Sequence, residues 1–158
     1  MSAWGTGIKQ SDEFLDVYEE FFDRYVDDAD PRKIADDIWN EYSAEFHDDG
    51  SDPILYTVRY ALALCLWECG KRDEKLWTEI YEIIRNNKDI EFWSGLTSSS
   101  SLIKRRKKAL DDFWIKLNTI PRNTRKPKKS TAKRQPTLHK GDIFAYRIPT
   151  GGYRAAIV

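Results

Sequence analysis

The chain has 158 residues, enough for one domain with a substantial core, or one domain and a small appendage, and too few for two large ones. Six Trp, eight Tyr and seven Phe exclude disorder throughout, because each ring buries a large apolar area wherever the fold supplies a pocket. Formal net charge is zero, yet residues 1–100 hold 23 acids against 10 bases while residues 101–158 hold 3 acids against 16 bases, a separation that bears on partners or self-association rather than on fold.

No apolar run approaches the roughly 18 residues of a membrane-spanning helix, and the richest, Tyr60 to Trp67, is closed by Arg59 and Glu68. Residues 1–10 lack the charged and apolar regions of a secretory signal, so a cytoplasmic protein with no membrane partner is expected. Cys65 and Cys69 lie four apart in one predicted helix, which suits two buried thiols and not a redox or zinc pair.

In chain order, Gly5 and Gly7 fit no phosphate loop, since a preceding strand, a third glycine and the lysine are missing; Trp4 is expected to fill a gap in the core. Ser11 caps a first helix running to about Asp28, with Phe14, Tyr18, Phe21, Phe22 and Tyr25 at helical spacing. Asp30-Pro31 starts a second, striped by Ile34, Ile38, Tyr42 and Phe46 and ending near Asp48-Asp49-Gly50. Asp52-Pro53 starts a third, apolar on most sides and therefore central. Gly70 ends it, and Asp73 caps a fourth with Leu76, Ile80, Ile83 and Ile84 inside. Ile90, Phe92 and Trp93 fit a short helical turn. A fifth helix spans Leu102 to about Asn118, with Leu102, Arg106, Ala109, Leu110, Phe113 and Leu117 on its inner side.

Residues 121–137 contain three prolines, seven bases and no acid, the composition of an extended or disordered linker. Beyond it, Gly141-Asp142 leads into Ile143 to Ile148, a Pro149-Thr150-Gly151-Gly152 turn and Tyr153 to Val158, which reads as a β-hairpin. The expected organisation is mainly α: a compact bundle of about five helices over residues 1–120, a basic linker over 121–137 and a hairpin over 138–158. A lone hairpin is marginal in water, so it should dock on the helices, pair with a second copy as a dimer, or open a longer β-domain.

Two charged clusters are candidates for binding. Asp16, Glu19, Glu20, Asp23, Asp27, Asp36, Asp37 and Glu41 give an outward acidic face on the first two helices, suited to a basic protein partner such as a toxin or nuclease. Lys104, Arg105, Lys107, Lys108, Arg122, Arg125, Lys126, Lys128, Lys129, Lys133 and Arg134 would bind nucleic acid in a salt-dependent manner, with few aromatics for stacking. Glu41, Glu45, His47, Asp48 and Asp49 are the one cluster resembling a metal site, but with two histidines in the chain a solvated helix end is the better reading and no cofactor is implied. Neither His47 nor His139 sits in a nucleophile motif, so an enzyme is not expected.

The opening Ala3-Trp4-Gly5-Thr6-Gly7, followed by Ser11-Asp12, resembles an uncharacterised bacterial family that begins with an Ala-Trp-Gly motif and an acidic helix start. Gly141-Asp142-Ile143-Phe144-Ala145-Tyr146, with the glycine turn and Tyr153 after it, is similar to the opening strands of an immunity-protein family found beside bacterial polymorphic toxins. Members of that family continue into further strands, whereas this chain stops at Val158. The resemblances carry no catalytic residues; they imply a bacterial accessory protein whose role is toxin neutralisation or another part in conflict.

Overall fold

The computed structural model describes residues 6–46, 52–130, 139–147 and 151–157. The architecture is mainly helical, with six helices among the described residues: α1 (Asp12–Arg24), α2 (Pro31–Phe46), α3 (Pro53–Glu68), α4 (Glu74–Arg85), α5 (Lys88–Leu96) and α6 (Ser100–Leu117). A 3₁₀ turn, Ile8–Gln10, precedes them, and strands β1 (Ile143–Arg147) and β2 (Tyr153–Ile157) follow. The count is six rather than five because the turn expected around Phe92 is a helix of its own, entered through Asn87 in the left-handed region (φ 54°) and anchored by buried Asp89 and Trp93.

The helix starts are local chemistry. Ser11 Oγ accepts from Phe14 N–H, Asp52 from Ile54 N–H and Asp73 from Leu76 N–H, each satisfying an amide that has no partner inside its helix. Asp30 accepts from Arg32 N–H at the start of α2. Gly70, at φ 69°, closes α3 as Lys71 N–H reaches back to Leu66 O at 2.9 Å, the left-handed stop that favours glycine.

Helix α3 is the centre. Leu55, Val58, Tyr60, Ala61, Ala63, Leu64 and Cys65 are fully buried, so this helix is covered on nearly every side. Against it pack Phe14, Val17 and Phe21 of α1, Ile38 of α2, Trp77 and Ile80 of α4, and Leu110 and Phe113 of α6. Tyr60 meets Phe113 edge to face at 5.7 Å. Cys65 and Cys69 are free, buried thiols, and burial pushes the Cys69 thiol up to about 11.

Helix α1 stops at Arg24, four residues before the predicted end, because the chain after α6 returns to meet it. Lys128 N–H donates to Tyr25 O, Asp27 N–H donates to Lys128 O at 2.8 Å, and Val26 and Lys128 form a parallel bridge. These bonds claim backbone groups that would otherwise continue the helix, and Asp27 turns to φ 51°. Residues 121–130 are extended, as their composition suggests, but they form a docked strap rather than a free tether: Arg125 N–H also donates to Glu68 O. Residues 131–137, the rest of the expected linker, lie outside the described residues.

Strands β1 and β2 pair antiparallel in the register Ile143↔Ile157, Ala145↔Ala155, Arg147↔Tyr153. This two-stranded sheet touches no helix among the described residues. No described helix is long and apolar enough to cross a membrane.

Candidate functional site

The acidic residues divide by helix geometry into one gathered patch and several dispersed positions. Asp16 and Glu20 of α1, with Glu41 and Glu45 of α2, surround the half-buried Tyr42, whose hydroxyl is pushed up first by burial and then by these four carboxylates. Among the described residues Arg24 is the cation paired with them: it forms an ion pair with Glu20 and donates to both oxygens of Glu41 at 3.0 and 2.8 Å. This clamp holds the Glu41 carboxyl below its ordinary value. Glu19 is exposed with no cation against it among the described residues. Asp37 is held by Lys33 at 2.8 Å, while Asp36 lines a depression shared with Trp39 and Glu79. Asp23 and Asp27 serve the strap instead: Asp23 lies 3.9 Å from Lys128, and Asp27 accepts from Ser130 N–H at 2.9 Å, which lowers its pKa.

The basic residues are divided in the same way. Arg125 lies over the Phe22 ring at 3.8 Å and donates to Tyr18 Oη at 2.8 Å and to Glu68 at 3.3 Å. Tyr18 in turn donates to Glu68, and burial followed by that carboxylate pushes its hydroxyl up to about 12. Lys108 pairs with Asp112 one turn along α6. Lys104, Arg105 and Lys107 on α6, and Arg122, Lys126 and Lys129 on the strap, are exposed. Lys133 and Arg134 lie outside the described residues, as do His47, Asp48 and Asp49 of the metal reading and Trp4 and Gly5 of the N-terminal motif. Among the described residues no group of three or more His, Cys, Asp or Glu side chains is placed to hold a metal ion. Gly7 has φ −74°, a conformation open to any residue.

A third feature was only half legible. Arg106 falls on the inner stripe of α6, so it needs a buried partner, and that partner is Asp89, the second residue of helix α5, where only a short turn around Phe92 was expected. The pair is bidentate, with Nε to Oδ1 and Nη2 to Oδ2 both at 2.8 Å, and the two side chains are 7% and 5% exposed. Tyr60 donates its hydroxyl to Asp89 at 3.2 Å, and the guanidinium carbon lies 5.2 Å from the centre of the Trp93 ring. Removing one member of such a pair leaves a buried charge alone, typically at a cost of about 3–5 kcal/mol. Above the pair a cavity of about 250 Å³ opens between the 3₁₀ turn and α1, α3, α5 and α6. Glu13 and Asp52 border it together with Ile54, Phe92, Trp93 and Arg106.

The patch offers fixed negative charge around an aromatic ring, and the cavity offers hydrogen-bond donors above an apolar wall. Comparison with protein-family models, with curated proteins and with solved structures finds no match to this chain.

Proposed function

We propose that this chain is a non-enzymatic bacterial binding protein of the immunity type, which neutralises a basic protein by covering its cationic surface with the carboxylate patch of α1 and α2. The observation that carries the reading is the convergence of Asp16, Glu20, Glu41 and Glu45 on Tyr42 with Arg24 as the cation among them. Carboxylates fixed on two packed helices form a preorganised field, which favours fast, salt-sensitive association with a cationic partner. The aromatic ring at its centre supplies contact area of the kind that anchors interfaces.

The test is affinity capture from a bacterial host carrying the chain, after nuclease treatment, at low and high salt, with wild type and an Asp16→Lys/Glu45→Lys variant side by side. One basic protein retained in near-equal amount by wild type, released by salt and lost in the variant is the expected result. Equal retention by the variant would overturn the patch.

A second reading has its own observation: Lys104, Arg105 and Lys107 stand exposed on α6 with no acid paired to them among the described residues. As a nucleic-acid surface, this row should lose affinity and flatten its salt dependence when the three are changed to Gln. Nucleic acid bound at low salt, with no protein partner, would favour this reading over the patch.

A further inference from the structure

The strap is a basic segment seated on an acidic surface of its own chain. Residues 121–130 contain Arg122, Arg125, Lys126, Lys128 and Lys129 and no acid. Arg125 sets its guanidinium against the Phe22 ring, Tyr18 and Glu68. Lys128, three residues on, approaches Asp23 with its side chain and pairs its backbone with residues 25–27. Thr124 completes the fit: a Cβ on Gly70 would come within 2.6 Å of its methyl carbon. Main-chain hydrogen bonds combined with side-chain anchors are the means by which folded domains hold extended peptides.

The fit is close, yet the hold is light. None of the strap's side chains is fully buried, and only those of Pro121 and Pro127 are half-buried. The Arg125 and Lys128 side chains are 44% and 64% exposed, so water and salt reach both ion pairs. Docking also sets Asp27 at φ 51°, an unfavourable conformation for a residue with a Cβ, where the sequence pattern would carry α1 on to Asp28. A segment with few buried contacts and exposed hydrogen bonds belongs to the least stable part of a fold.

The surface beneath the strap is continuous with the acidic patch. Asp16, Glu20 and Asp23 recur at i, i+4 and i+7, one stripe of α1 leading from Tyr42 to Lys128.

We propose that the strap is an internal stand-in for the basic partner: it closes a groove that receives an extended partner segment bearing arginine and lysine three residues apart, and it leaves to admit that segment. The partner's arginine takes the place of Arg125 over Phe22 and beside Glu68, its lysine takes that of Lys128 beside Asp23, and its backbone pairs with residues 25–27. The tether keeps the strap at high local concentration, so it competes against every incoming cation of poorer match. This inference rests on the binding role proposed above and adds to it a second contact and an internal competitor.

The test titrates the isotope-labelled full chain with an acetylated, amidated peptide of the sequence of residues 124–130, against the same peptide carrying Gln at the positions of Arg125 and Lys128. The signals followed are the Tyr18 and Phe22 rings, the Gly70 amide and the Tyr42 ring. An Arg125→Ala chain, whose own strap is weakened, should bind the basic peptide at the first three sites about tenfold more tightly than wild type. The Gln peptide should bind about tenfold less tightly than the basic one. Wild type gives a second reading that needs no variant: excess basic peptide should accelerate amide exchange at Lys128 about tenfold as the strap is displaced. Equal affinity of the two chains, equal affinity of the two peptides, unchanged exchange at Lys128, or no binding up to ~10 mM each overturns the groove. Shifts confined to Tyr42 overturn it while leaving the patch standing. Shifts at Tyr18, Phe22 and Gly70 that persist in an Asp16→Lys/Glu45→Lys chain uphold the groove independently of the patch.

Discussion

Two segments follow α6, and each behaves against its composition. Residues 121–130, rich in proline and cations and poor in apolar side chains, lie docked along α1 and the end of α3. The hairpin is better supplied with apolar residues and is regularly paired, yet Ile143 and Ile157 are each 72% exposed and neither strand meets a helix among the described residues. Docking is therefore decided by matched partners more than by hydrophobicity. The strap has Phe22 beneath Arg125, Glu68 for its guanidinium and amide, and the backbone of residues 25–27 for Lys128. The described part of the hairpin is offered no comparable set.

Arg125 should contribute most to this difference. In Arg125→Ala the contact with Phe22 and the bonds to Tyr18 and Glu68 vanish together, and Tyr18 keeps only its bond to Glu68. A cation–π contact and a partly exposed charge-assisted bond together are worth about 1–2 kcal/mol, or a fall of about 2–8 °C in melting temperature for a chain of this size. Thermal unfolding checks the magnitude, and amide exchange at Arg125 and Lys128 should accelerate in the same variant. A stable variant with unchanged exchange would mean that the backbone bonds alone hold the strap.

A smaller, local effect is expected at the far end of the strap. Asp27 accepts from Ser130 N–H, and that bond holds its carboxyl below the ordinary value. A carboxylate with a depressed folded pKa stabilises the folded arrangement above its unfolded value, near 3.8, and loses that contribution as pH falls through the folded value. Ser130 N–H exchange should therefore rise, after correction for intrinsic rates, as pH drops below about 3.8, and Asp27→Asn should remove the pH dependence. Protection that stays flat across this range in wild type would show that Lys128 alone fixes the end.

The same contrast explains what could be read from the sequence. Helix starts at Ser11, Asp52 and Asp73 and the stop at Gly70 depend on residues within a turn of one another, and all were legible. The central place of α3 followed from an apolar surface on most of its sides. The bond from Arg125 to Tyr18 spans 107 positions, and no local pattern marks it. Arg106 was intermediate: its place on the inner stripe called for a buried acid, but Asp89 could be assigned only once the segment around Phe92 formed a helix. The acidic face was visible as composition, whereas its division into a patch around Tyr42 and anchors for the strap depends on the return of a chain a hundred residues later. The early end of α1 at Arg24 was illegible for the same reason.

The hairpin gives the smallest expected effect and the cleanest test of the comparison. Ile143 and Ile157 are cross-strand partners on one face, both open to solvent, and touch none of the buried core. Replacing both with Thr keeps β-branching and strand preference while removing the exposed apolar pair. If the helices fold without help from the sheet, the main unfolding transition of the full chain should move by no more than about 0.5 kcal/mol, as is usual for surface substitutions. The cross-strand pair itself is worth about 0.2–1 kcal/mol, and its loss should appear only as faster amide exchange within β1 and β2. A drop of 2 kcal/mol or more, on the order of a core substitution, would place the hairpin in the cooperative unit and erase the distinction from the strap. A concentration-dependent melting temperature in wild type, absent from the double variant, would instead assign the exposed pair to self-association between copies.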